Sequence, residues 1–364
     1  MSIILSIIVF SLIVIVHELG HFLVAKKVGI YVQEFAVGMG PVLVSKHIGE
    51  TQYSLRMFPF GGFCRMQGED GDENDGKVNE NYDPSRSFSS KTVLQRMAVI
   101  FSGPAMNFVL AFVLIFIILG LSGFFVPKIN TVIDNSPAQE AGLESGDTLL
   151  RVNGQRILIY QDYTMALDRQ EADSPIEYVI LHDGEKKAVT VTPEYSEENG
   201  RYMVGFTFDA NYGMFGEKVD GYTRAGIAAT TVADVGLMSY FVKSVIVGFV
   251  KLFSFQVKSD EVSGPIGIIG AIGDSYEAGI KSSNTDAFIN LATLSALLST
   301  NLGVLNLFPI PAMDGGRLAF LIVEGIRRKP VNPEIEGRIH FAGFMLLMAF
   351  MVVVAFNDIV NIIR

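Results

Sequence analysis

Two histidines four residues apart, with a glutamate beside the first, form the group in this chain best suited to chemistry: His17-Glu18-Leu19-Gly20-His21. On a helix, positions four apart share one face, so both imidazoles point the same way and Glu18 sits beside them. Two neutral imidazoles can hold a metal ion while the carboxylate handles the proton of an attacking water, which is metal-assisted hydrolysis. The setting sharpens this reading. Ile3 to Val16 is almost entirely apolar, Phe22 to Ala25 resumes the pattern, and Lys26 and Lys27 close it. That frame reaches the ~20 residues a helix needs to cross a bilayer. Ionisable side chains at that depth are costly and mark function, whereas a chance pair of histidines belongs on a solvated helix.

The rest of the chain must position this group. Its 364 residues are 49% hydrophobic with a net charge of -10, and the mean hydropathy is +0.38. These values exclude a wholly water-soluble protein and predict several spans plus a solvated part. The acidic balance gives no reason to expect a nucleic-acid partner. Cys64 is the single cysteine, so no internal disulfide can form. No Lys or Arg precedes the first apolar run and no small-residue cleavage site follows it, so a removed leader is not expected.

Four spans are predicted: Ile3 to Ala25, Met97 to Phe125, Phe288 to Phe308, and Phe341 to Phe356 with an extension toward Val360. Lys26, Lys27, Lys91 and Arg96 flank the first loop, and Arg317, Arg327, Arg328, Lys329 and Arg338 crowd the third. The positive-inside rule then puts both loops in the cytoplasm and both termini outside. Between the second and third spans, Lys128 to Arg224 carries nine basic and seventeen acidic residues, as a solvated external domain would. The expected segments are 1–27, 28–93, 94–125, 126–208, 209–286, 287–316 and 317–364.

Depth adds a third candidate ligand. At ~1.5 Å per residue His17 lies ~20 Å below the outer surface and within ~15 Å of the inner one. The third span descends to Pro309-Ile310-Pro311-Ala312-Met313-Asp314-Gly315 and delivers Asp314 to the same level. A catalytic zinc keeps three protein ligands and an open position. The bland alternative for Asp314 is a turn aspartate before Gly315-Gly316. Ala225 to Phe255 is apolar enough to tempt a fifth span but holds Asp234, Lys243 and Lys251. A crossing there would strand Asp314 at the outer face, so this segment is expected to lie in the interface or dip and return, with Gly264-Pro265-Ile266-Gly267 as a corner.

Taken together these residues resemble the site-two protease family of intramembrane zinc metalloproteases over essentially the whole chain. The likeness is to the bacterial branch that cleaves anti-sigma factors and signal-peptide remnants, in its form with one PDZ domain. His17 to His21 resembles the zinc helix, Phe35 to Pro41 and Phe58 to Phe63 the first cytoplasmic loop, Ser102 to Asn107 the start of the second span, and Asn306 to Gly315 the second metal motif. Met313 stands where the family usually has Leu, a swap of similar volume. The resemblance implies a polytopic α-helical membrane protein with four transmembrane helices, a cytoplasmic membrane-associated β-hairpin and an inserted extracytoplasmic α+β PDZ domain. It implies His17, His21 and Asp314 as zinc ligands, Glu18 as general base and Asn306 as a donor to the oxyanion or the substrate backbone, against a polar interhelical contact. Pro309 and Pro311 cannot continue a helix, and irregular backbone at such depth belongs beside a wet cavity.

Ser136 to Leu143, Ser145-Gly146-Asp147 and Val152-Asn153-Gly154 resemble the PDZ module of bacterial proteases. Strand runs at Tyr178–Leu181 and Ala188–Val191 are split by a His182-Asp183-Gly184 turn. Such modules bind extended peptides by strand addition, and the resemblance implies a guard that excludes bulky ectodomains or senses a new peptide C-terminus, against a spacer with an unused groove. In the first loop Thr51 to Met57 alternates polar and apolar residues and, with Gly38-Met39-Gly40, predicts a hairpin whose edge could bind an unwound substrate. Gly68 to Pro84 is an acidic, polar stretch expected to be a loop. The expected activity is hydrolysis of a single-span, pre-trimmed membrane substrate near its cytoplasmic half, in the bacterial cell membrane. A metal-ion transporter or sensor, or a silent PDZ scaffold, would use some of the same residues.

Overall fold

The computed structural model describes residues 2–69, 83–167, 171–197, 201–254 and 264–363. Helix α1 (Ser2–Lys27) leads into strands β1 (Val32–Ile48) and β2 (Thr51–Met66), and α2 (Val93–Ser122) follows. An α+β region comes next: β3 (Phe124–Val132), α3 (Pro137–Glu140), β4 (Thr148–Val152), β5 (Gln155–Arg156), α4 (Tyr160–Leu167) and β6 (Ile176–His182). It continues through β7 (Glu185–Val191), β8 (Glu194–Ser196), β9 (Arg201–Met203), β10 (Phe206–Tyr212) and β11 (Thr223–Arg224). The chain closes with α5 (Ile227–Phe253), α6 (Pro265–Ile280), α7 (Asn284–Leu307), α8 (Asp314–Arg327) and α9 (Pro333–Ile363). It forms two compact units, 1–111 with 244–364, and 112–243.

Among the described residues, five helices are long and apolar enough to cross a bilayer: α1, α2, α7, Ile227–Leu252 of α5 and Pro333–Val360 of α9. The chain is an integral membrane protein. The segment expected to be interfacial is thus one continuous helix of 27 residues followed by the 16-residue α6. Residues 255–263 between them lie outside the described residues, as does most of the loop expected at 68–84.

In the first unit α1 buries one stripe, Ser6, Val9, Ile13, His17, Gly20, His21 and Ala25, at helical spacing. Ile3, Ile4, Ile8, Leu12 and Leu23 face outward, as lipid contact requires. The metal-type residues therefore fall on the packed stripe. Ile272 of α6 packs on Val9 and Ile13. Around the lower half, Ala25, Ile30, Val32, Cys64, Met66, Phe88, Val99, Ile100 and Leu321 form a second core. Small residues let the helices close: a Cβ on Gly20 would lie 2.7 Å from the Ser102 carbonyl carbon, and one on Gly303 would lie 3.2 Å from the Phe108 ring.

The two long strands fold over on themselves. The first half of β1 pairs on one side with β2 at Phe35↔Tyr53 and Ala36↔Ser54, and on the other at Phe35↔Cys64 and Ala36↔Phe63. The second half of β1 pairs with Thr51 to Arg56 of β2 alone, as at Lys46↔Tyr53, and forms the opposite edge. Corners form at Gly38, Gly40 and Gly61, with φ of 85°, 84° and 80°, values that favour glycine. Gly61 to Met66 is consequently an outer edge, and among the described residues no strand pairs with its far side. Of the alternating run, Ser54 is buried and Tyr53 packs on Phe22 and Phe35, while Leu55 and Met57 are exposed.

In the second unit the sheet order is β11-β10-β3-β4-β6-β7, antiparallel except at β10–β11. Ile129, Leu149, Val152, Tyr178, Ile180 and Val191 fill its core. The expected turn is a two-residue hairpin with Asp183 and Gly184 at φ 45° and 85°, pairing His182 with Glu185. The sheet begins at Phe124 and runs past Phe208 to Arg224, wider than the segment read from sequence.

Candidate metal centre and active site

Three ligand-type atoms converge in the first unit. His17 Nε2 and His21 Nε2 are 3.2 Å apart, and Asp314 Oδ2 lies 3.1 Å from the first and 3.4 Å from the second. Donor atoms around a tetrahedral zinc, each about 2.0–2.1 Å from it, stand about 3.3 Å from one another. Asp314 Oδ2 is buried yet makes no hydrogen bond. Three ligand-type atoms converging on one point, one of them a buried carboxylate oxygen without a hydrogen bond, fit a shared cation. Among the described residues this is the group of His, Cys, Asp and Glu placed to hold a metal ion.

The outer partners fix which ring nitrogens are free. His21 Nδ1 lies 2.8 Å from the Val99 carbonyl oxygen, which can only accept, so Nδ1 carries the proton and Nε2 keeps its lone pair. His17 Nδ1 lies 3.1 Å from the side-chain amide of Asn107, a residue with no exposure. With the amide nitrogen toward the ring, the Asn107 Oδ1 is left buried and unpartnered. Turning the amide over would let Oδ1 accept from His17 Nδ1–H and free Nε2, the orientation that a metal at Nε2 requires. Ser299 of α7 donates to the Asn107 carbonyl at 2.8 Å and ties α2 to α7. A Cβ on Gly103 would collide with the His21 ring and lie 2.9 Å from His17 Cε1, so that position must be bare.

Asp314 enters at the first turn of α8, where the helix dipole favours a carboxylate. Arg96 of α2 holds Glu324 of α8 through bonds of 3.1 and 2.5 Å. Gly315 and Gly316 pack against the Phe308 and Ile310 carbonyls, where a side chain has no room. A cavity of about 440 Å³ opens on the site, lined by His17, Glu18, His21, Asp314 and residues of β2 from Phe63 to Met66, with Glu69 and Arg317 ion-paired at its wall. Glu18 is half-buried there, and a Cβ on Gly62 would lie 3.6 Å from its Cγ. Cys64 shares the wall, but burial, with Glu18 and Glu69 nearby, pushes its thiol well up, away from the thiolate a metal would need.

The structure thus brings His17, Glu18, His21 and Asp314 together. Asn306, Pro309 and Pro311 lie on the path into Asp314 and outside the residues lining this cavity, as do Gly38, Met39 and Gly40 at the hairpin corner. Sequence reasoning missed the tie of Asn107 to His17; its signals were an amide inside a span and its place at the end of the Ser102–Asn107 block.

The description of peptidase family M50 matches residues 5–350. A Clostridium perfringens protein described as a zinc metalloprotease is 38% identical over 365 residues, covering 99% of each chain. The regulator of sigma-W protease RasP of Bacillus subtilis is 31% identical over 435 residues, covering 98% of each chain. The zinc metalloprotease RasP of Geobacillus kaustophilus is 33% identical, covering 98% of this chain and 97% of the relative.

Proposed function

Because the chain belongs to peptidase family M50 and is a membrane-embedded zinc metalloendopeptidase, we propose that His17, His21 and Asp314 hold the zinc and that Glu18 is the general base. The convergence of three ligand-type atoms at 3.1–3.4 Å beside Glu18 carries this reading. Zinc held there supplies Lewis acidity, polarising the scissile carbonyl and lowering the pKa of the attacking water toward neutrality. Glu18 takes that water's proton as it attacks and returns a proton to the leaving nitrogen. Val99, and Asn107 with its side-chain oxygen toward the ring, would keep both imidazoles in the ligating tautomer.

The substrate class is a single membrane-spanning helix, trimmed outside, of the anti-sigma-factor or signal-peptide-remnant kind. A helix hides its carbonyls in its own hydrogen bonds, so cleavage needs an unwound segment and something to bind it. The Gly61–Met66 edge of β2, which runs past Glu18 with one side unpaired, offers those bonds. Gly38 and Gly40 serve by turning the hairpin so that this edge reaches the site. Asn306, half-buried in the last turn of α7, offers its amide to the substrate backbone.

Four crossings fit the site better than five. The second unit, read as an external PDZ-type domain that screens substrates or takes a peptide C-terminus, is followed by α5 and then α7. An odd number of crossings between them would invert α7. Phe249 of α5 packs, tilted, on Phe308 at the site end of α7, 4.5 Å between ring centroids, while Asp358 near the end of α9 accepts from Gly264, Ile266 and Gly267 at the start of α6. Helix α5 reaching inward and α6 starting outward describes an insertion that returns. Both termini then lie outside and the metal site sits toward the cytoplasm.

Cleavage of a tagged, ectodomain-trimmed substrate in membranes tests the proposal. Wild type should cleave, and Glu18→Gln should not while retaining its zinc. Equal cleavage by both would refute the role of Glu18.

A further inference from the structure

The residues just before Asp314 form a turn that an alanine is poorly suited to make. Met313 N–H donates to the Ile310 carbonyl at 3.2 Å, with Pro311 second and Ala312 third, and Ala312 has φ 74°. This is a type II turn, whose third residue is ordinarily glycine because L side chains avoid that region. In such a turn the N–H of the third residue has no partner inside the turn. Here it donates, at 2.8 Å, to Nδ1 of His340, 28 residues away on α9. Three further observations seat that ring. Phe320 of α8 packs on it with ring centroids 5.5 Å apart. One helical turn beyond, Gly343 lets α9 close on the turn itself, since a Cβ there would lie 2.5 Å from Pro311 Cβ and 2.9 Å from its carbonyl oxygen. The imidazole is only 18% exposed, and its Nε2 is 3.9 Å from Glu336, beyond hydrogen-bond range.

We propose that His340 is a positioning residue for the metal centre: by accepting the Ala312 N–H it holds the Pro311–Ala312 turn in its left-handed form and so sets where Asp314 enters the site. The inference rests on Asp314 being the third zinc ligand. His340 touches neither substrate nor metal. It supplies the hydrogen bond that makes an otherwise disfavoured backbone conformation the stable one, two residues before the carboxylate. An outer partner of this kind changes metal affinity by about 10–100-fold when the ligand it orients is freed. Because His340 acts through backbone, the lower end is expected.

The test uses the full-length protein in detergent, with the zinc dissociation constant from chelator competition and the visible spectrum of the cobalt-substituted protein as readouts. His340→Leu should weaken zinc about tenfold and shift the cobalt bands. His340→Asn, whose side-chain oxygen reaches a similar point as an acceptor, should behave close to wild type. Ala312→Gly, free to adopt positive φ unaided, should recover most of the loss when combined with His340→Leu. Wild-type affinity and spectrum in His340→Leu would overturn the proposal. So would an equal loss in His340→Asn with no recovery by Ala312→Gly, since the ring would then matter only for packing. Asp314→Ala separates the two levels. If it keeps wild-type zinc affinity, the ligand assignment falls and this inference with it; if it loses zinc while His340→Leu does not, only the role of His340 falls.

Discussion

The side-chain amide of Asn107 lies 3.1 Å from Nδ1 of His17, inside a helix pair where both residues are buried. With its oxygen toward the ring it obliges His17 to carry its proton on Nδ1, leaving Nε2 to face His21 and Asp314. Replacing Asn107 by Leu removes the acceptor and leaves the ring free to take the wrong tautomer. Zinc affinity should fall about 10–100-fold with little change in helix content. Asn107→Asp, which still accepts, should hold zinc far better than the Leu variant. Chelator competition on the purified variants decides it, and equal affinities would remove Asn107 from the metal site.

Gly103 makes a steric prediction at the same centre. Its missing side chain leaves the room that the His21 ring occupies, and His17 Cε1 would lie 2.9 Å from an added Cβ. Both rings are held by their ligand geometry and cannot retreat without leaving it. Gly103→Ala should therefore abolish cleavage and strip the zinc, although alanine is the better helix former. Gly325→Ala is the matched control, because its Cβ would meet only Val93 at an ordinary 3.7 Å. Zinc content of the two variants by elemental analysis gives the answer, and a metal-replete Gly103→Ala protein would refute the packing argument.

Legibility followed the range of the interaction. His17, Glu18 and His21 announce themselves because all three sit within five residues at a depth where such side chains are costly, and Asp314 follows from counting crossings. Asn107 and His340 do not. Each is a single side chain whose partner is 90 or 28 positions away, beyond the reach of any local pattern. The hairpin was visible as alternation and glycines, but its fold-over was not. That depends on Phe35 pairing with both Tyr53 and Cys64, a register no local pattern encodes. Likewise α5 reads the same whether it crosses or dips, since its 27 residues suffice for either.

His182 is more than a turn residue. Its Nδ1 lies 2.6 Å from Asp147 Oδ1, and that hydrogen bond and charge raise its pKa above the usual histidine value. The imidazolium form is thus favoured by folding. Its contribution is complete below about pH 6.5, the unfolded value, and is lost as pH rises through the higher folded value. The β6–β7 hairpin should accordingly exchange its amides faster at about pH 8.5 than at about pH 5.5, after correction for intrinsic rates, and His182→Asn should flatten the difference. An unchanged pH dependence in that variant would show that other groups carry it.

Arg96 and Glu324 clamp the helix that delivers Asp314 to the helix that carries Gly103 and Asn107. The pair is largely buried, at 14% and 15% exposure, and the guanidinium meets both carboxylate oxygens. Removing one partner strands the other charge, a loss of about 3–5 kcal/mol for a buried pair, whereas replacing both with apolar residues of similar size is often near neutral. Glu324→Met alone should lower the unfolding midpoint and the activity together, because α8 loses its hold on α2. Arg96→Met with Glu324→Met should recover stability through packing. If α8 is held by Leu321 and the surrounding apolar core, activity should return as well. Stability restored without activity would show that the ion pair itself, and not the seating of α8, sets the position of Asp314. Denaturant unfolding and substrate cleavage measured on the same three preparations separate these outcomes.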